Sequence, residues 1–235
     1  MKSMYMATRA TMGVITAALL TGCGASYQAR SVELKEATLV NPALLKKGGE
    51  GQALYRYVKP KIDLKKYTSI LVDPVLVRKD HELDKEEQEN YQKLANNAYT
   101  YLITEMEKEF TLVKSPEPGA ARIQVAISDI DTSSPVRLVT SSILPIGMAA
   151  SLVQYSATGE QSAVGEITME MRVTDATSGE LLGAALDRRV GGKSWAGVTN
   201  KWYNADEALK YWAEWTRYVF CTMRGGTKCV KPDSD

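Results

Sequence analysis

Gly165–Thr174 reads GEITMEMRVT, and its alternation decides the fold. Ile167, Met169, Met171 and Val173 fall on one side of an extended chain, Glu166, Thr168, Glu170 and Arg172 on the other. That period of two belongs to a strand with one buried face. Asp175-Ala176-Thr177-Ser178-Gly179 supplies turn residues, and Glu180–Val190 returns as a second strand. The pair reads as an antiparallel hairpin, apolar on one face and wet on the other.

Working outward, Arg122–Ile130 alternates in the same way, with Ile123, Val125 and Ile127 on one face. Ser69–Val77 (SILVDPVLV) is a short aliphatic run that reads as a buried strand. Pro74 removes one ladder hydrogen bond, so a bulge or an edge is expected there. Between these strands, Tyr91, Leu94, Ala95, Ala98, Leu102, Met106 and Phe110 recur in steps of three and four, the stripe of a helix on a core. A second helix is expected from an N-cap at Asn204, with Glu207 three residues on and Leu209, Trp212, Thr216 and Val219 along one face, ending before Gly225-Gly226. The order β-α-β-β-β-α predicts a single α+β domain, a mixed or antiparallel sheet of about four strands packed against two long helices.

The N-terminus reads as an address. Lys2 and Arg9 precede an uncharged run from Ala10 to Gly22, too short to span a bilayer, which needs ~20 apolar residues. Leu20-Thr21-Gly22-Cys23 resembles the bacterial lipobox. That resemblance implies cleavage before Cys23, a diacylglyceryl group on its thiol and acylation (palmitate or a similar chain) of its new amino group. Gly24 follows, where Asp would resemble an inner-membrane retention signal, so the expectation is the periplasmic face of the outer membrane. Cleavage removes two cations and no acid, taking the formal charge from +1 to −1. The expected organisation is a signal peptide over 1–22, a lipidated N-terminus and tether over 23–52, the α+β domain over 53–224 and a tail over 225–235.

Composition excludes several classes. A near-neutral balance of 29 Lys+Arg against 28 Asp+Glu lacks the basic surface that non-specific nucleic-acid binding needs. One His rules out a multi-His metal site within one chain, and His81 among acids reads as a solvated helix start. No phosphate loop or nucleophile elbow occurs, and no metal or cofactor is expected. The carboxylate pairs Asp129/Asp131 and Glu166/Glu170 each lie on one strand face and read as solvated.

With Cys23 acylated, Cys221 and Cys229 form an even pair in an oxidising compartment and are expected to close across Gly225-Gly226, the alternative being two free thiols. All four Trp lie late in the chain. Trp212 and its helical neighbours read as core, whereas Trp195 and Trp202, with Tyr203, are candidates for contact with a partner protein or glycan. Ser141–Tyr155, including Leu144 and Ile146, is either a buried crossover or an exposed apolar loop that touches a partner or the bilayer.

Three stretches together resemble a known family: Ala53–Pro60 (ALYRYVKP), Tyr67–Val75 (YTSILVDPV), and Val164–Glu170 leading to Asp175–Glu180 and Asp187-Arg188-Arg189. They resemble the bacterial lipoproteins of domain-of-unknown-function family 3313, over roughly Glu33–Thr222. The resemblance implies an envelope lipoprotein and no catalytic residue. The expected function is a non-enzymatic, lipid-anchored periplasmic module that binds another envelope component. An envelope glycan or peptidoglycan hydrolase, or a structural spacer, is the alternative.

Overall fold

The computed structural model describes residues 26–29, 32, 34, 37–79, 83–128, 137–139, 166–191 and 201–233. Among them, ten strands form one mixed sheet. At its centre stand β9 (Glu166–Asp175) and β10 (Leu181–Gly191), paired antiparallel as the hairpin that alternation predicts. β7 (Ala120–Ser128) flanks β9 antiparallel, and β4 (Ser69–Val72) and β5 (Leu76–Lys79) both run parallel to β7.

The sheet is larger than the expected four strands. The additions are short: β1 (Ser26–Gln28), β2 (Lys46–Lys47), β3 (Tyr55–Val58), β6 (Thr111–Val113) and β8 (Arg137–Val139). Segments of two to four residues complete too few periods for alternation to register. The expected strand Ser69–Val77 divides into β4 and β5 at Asp73-Pro74-Val75, where proline cannot donate to the ladder. Asp73 secures the break by accepting from Arg122 Nε at 2.9 Å and Gln124 Nε2 at 3.0 Å.

Helix α1 (Lys85–Met106) opens on a capping box between Asp84 and Glu87, and its predicted stripe from Tyr91 to Met106 is buried. Helix α2 (Lys201–Met223) begins earlier than predicted. Asn204 lies inside the helix, 1% exposed, instead of capping it. The apolar stripe runs back one turn to Trp202, whose ring meets Tyr91 edge-on at 5.0 Å, so the first turn is already packed. The helices are tied where Asp206 accepts from Asn97 Nδ2 and Tyr101 OH, each at 2.7 Å, and where Arg217 Nε donates to Glu105 at 2.7 Å.

The outer face of the hairpin is covered, not wet. Val32, Ala37, Val40 and Leu45, in the segment read as a tether, pack on Ala184 and Leu186 of β10. Glu170, expected in solvent, is 3% exposed beneath them. Its carboxylate accepts from the backbone N–H groups of Thr38, Leu39 and Val40 at 2.7–3.1 Å and from Arg78 Nη1 at 3.0 Å.

The β9–β10 turn is held by Asp175, which accepts from the backbone N–H groups of Ser178 and Thr177 at 2.9 and 3.1 Å and from Tyr67 OH at 3.0 Å. Those hydrogen bonds hold its carboxyl well below the usual carboxylate range. Burial, with the hydrogen bond and charge of Asp175, pushes the Tyr67 phenol up to about 12. A phenol raised in the folded state adds stability that is complete below its unfolded value of ~10 and lost as pH rises through the folded value. Tyr67→Phe is therefore expected to cost about 1–3 kcal/mol at neutral pH and to flatten the fall in stability between pH ~10 and ~12. Urea unfolding at pH 8 and 11 measures both; a mutational cost unchanged between the two would contradict the assignment.

Candidate functional site: a cavity beneath the second helix

A cavity of about 810 Å³ lies between α2 and the helix-facing side of the hairpin. Its cause is legible in β10. Where β9 presents Met169, Met171 and Val173 to the helix, β10 presents Gly183 and Ala185, paired with Val58 and Arg56 of β3. Small side chains under a helix leave space that their larger neighbours do not close. Steric need does not impose the glycine, because a Cβ on Gly183 would meet its nearest neighbour, the Tyr57 carbonyl oxygen, at an ordinary 3.5 Å.

The cavity is polar at one end. Asp187, 3% exposed, accepts from Trp212 Nε1 at 2.8 Å, Gln28 Nε2 at 2.7 Å and the Leu54 backbone N–H at 3.0 Å. Burial still pushes its carboxyl up, against the hydrogen bonds and the nearby Arg189 charge that favour the anion. The Arg189 guanidinium lies 3.9 Å from the centre of the Tyr211 ring. Trp215 stacks nearly parallel to Tyr211 at 6.1 Å and carries the Lys231 ammonium 5.7 Å from its ring centre.

Lys231 belongs to the tail, and the predicted disulfide holds it there. Cys221 and Cys229 are bonded, with Cα atoms 5.6 Å apart. The chain reverses through Gly225 at φ +78°, and Gly226 follows so closely that a Cβ would sit 2.6 Å from Cys221 Sγ. Across the mouth, Glu50-Gly51-Gln52 forms the facing lip, with Gln28 Nε2 also donating to the Gln52 carbonyl at 2.8 Å.

Two of the sequence-predicted contact residues lie elsewhere. Trp202 and Tyr203 are half-buried at the start of α2 and do not line the cavity. Trp195, Leu144, Ile146, His81, Asp129, Asp131 and the lipobox residues Leu20, Thr21, Gly22 and Cys23 lie outside the described residues. Trp212 is core as expected, at 3% exposure, and is also a cavity wall. Asp187 and Arg189 were missed as site residues, although two charges on the face that carries Gly183 and Ala185 break its apolar pattern.

The family described as "Protein of unknown function (DUF3313)" matches residues 35–215. The chain belongs to the DUF3313 family. The match spans the hairpin with Asp187, all of α1 and the first part of α2 of this DUF3313 chain. No curated protein matches it. Among solved structures, it is similar to the PelC dodecamer from Paraburkholderia phytofirmans, at 7% identity, covering 74% of this chain and 96% of that one, with a TM-score of 0.35. It is also similar to a DUF4136 family protein from Bacteroides thetaiotaomicron VPI-5482, at 15% identity, 72% and 95% coverage and a TM-score of 0.38.

Proposed function

We propose that this DUF3313 chain is a lipid-anchored domain at the periplasmic face of the outer membrane that binds another envelope component without transforming it. The observation that carries the anchor is Leu20-Thr21-Gly22-Cys23 behind a basic start and a short apolar run. Each buried methylene contributes ~0.8 kcal/mol, so two or more acyl chains on Cys23 hold the domain where one would not.

The cavity supports binding over catalysis. Its size falls within the ~300–1,000 Å³ of small-molecule sites. Both oxygens of its buried acid, Asp187, already accept hydrogen bonds from the protein, which suits a wall fixed in place more than a proton donor.

Cys23→Ser is expected to abolish incorporation of labelled palmitate and to remove the protein from the outer-membrane fraction. Labelling that persists in the variant, or an unchanged outer-membrane yield, would sink the anchor.

A further inference from the structure

We infer that the cavity takes a single-chain amphiphile with an anionic head, its alkyl chain beneath α2 and its head between Arg56 and Lys231. The inference rests on the binding reading above and names the ligand class for that cavity.

Three observations carry it. First, polarity is graded along β10. Gly183 and Ala185 lie at one end with Met223 and Ile62, and Asp187 and Arg189 lie at the other. Six residues of strand at ~3.3 Å each separate Gly183 from Arg189 by ~20 Å, and Arg56 is paired with Ala185 within that length.

Second, the walls offer a sugar little. Thr216 Oγ1 already donates to the Trp212 carbonyl at 2.7 Å, and Trp212 Nε1 to Asp187. The ring faces that would stack on a sugar are engaged, Tyr211 by Arg189 and Trp215 by Tyr211 and Lys231. Along the stretch beside Gly183 and Ala185 a polyol would lose its hydration, whereas an alkyl chain loses nothing polar. The unbranched thioethers of Met169, Met171 and Met223 adapt to a flexible chain.

Third, the charges favour an anionic head. The ionisable groups of the cavity other than its tyrosines are Arg56, Arg189 and Lys231 against Glu50 and Asp187. Asp187 is held by its three donors and faces Arg189. Among the described residues neither Arg56 nor Lys231 makes an ion pair, and the Lys231 ammonium lies over the Trp215 ring. Arg56, paired with Ala185, and Lys231, beside Gly51 of the lip, supply a guanidinium and an ammonium that match a carboxylate or phosphate head, the guanidinium bidentately.

The test uses the mature chain with Cys23→Ser, so that no attached acyl group competes, and follows tryptophan fluorescence during titration below the micellar concentration. Palmitate and lysophosphatidylglycerol present the two head chemistries, and hexadecanol is the neutral control. Saturable binding of either anion, at least about tenfold tighter than hexadecanol, is expected. Ala185→Phe, which fills the cavity, is expected to weaken that binding by about tenfold or more while the thermal midpoint holds or rises. Arg56→Ala is expected to weaken the anions and leave hexadecanol unchanged. Gly183→Val repeats the filling test from a second position if Ala185→Phe does not fold. Equal affinity for hexadecanol, or anion binding untouched by either filling variant, would overturn the inference. If neither anion binds but a muropeptide does, and Ala185→Phe blocks it, the ligand class fails and the binding reading stands.

Discussion

Glu170→Ala is expected to lower the unfolding free energy by about 3–5 kcal/mol, a large share of what a single domain possesses. The carboxylate is 3% exposed and performs two tasks. It balances the Arg78 charge, itself 2% exposed, and it gathers the backbone N–H groups of Thr38, Leu39 and Val40. Its removal strands a buried guanidinium whose Nε already lacks an acceptor among the described residues, and leaves three N–H groups to find water. The double variant Glu170→Leu with Arg78→Met separates the tasks. It relieves the stranded charge but not the orphaned N–H groups, each of which costs about 1–3 kcal/mol, so only part of the stability is expected back. Urea midpoints for the three proteins measure this. Full recovery in the double variant would show that the N-terminal segment does not depend on Glu170.

Trp212→Ala is expected to cost about 3–5 kcal/mol, because an indole at 3% exposure leaves a void beside one that already exists. Trp212→Phe keeps most of the packing and removes only the donor to Asp187, so about 1–3 kcal/mol is expected. The smaller loss should diminish as pH falls. The burial that raises the Asp187 carboxyl lets it take up a proton sooner in the folded protein, and a protonated acid depends less on the lost donor. Denaturation of both variants at pH 7 and pH 5 measures the two costs. A Trp212→Phe loss that grows on acidification would contradict the role given to this hydrogen bond.

How much was legible follows from where each signal resides. The β9–β10 hairpin and the stripe of α1 are local patterns, written in period two and in steps of three and four, and they stand where alternation and spacing placed them. Pro74 announced an interruption and the chain breaks there. The even cysteine pair closed as its compartment reading expected. The covering of the outer face was hidden because Glu170 looks like any solvated acid until Thr38–Val40 arrive from 130 residues away. Asn204 misled because a good N-cap residue also serves inside a helix when a packed aromatic, here Trp202 on Tyr91, extends the apolar stripe past it. The cavity is a tertiary product of Gly183 and Ala185 meeting α2, so no single segment contains it.

The most direct measurement is native mass spectrometry of the full chain purified from its native cells, beside its Ala185→Phe variant. The unaltered chain is expected to carry a non-covalent small molecule, lost on collisional activation, and the filled variant none. Identical masses for the two, apart from the substitution itself, would mean that the space beneath α2 is a void and not a binding site.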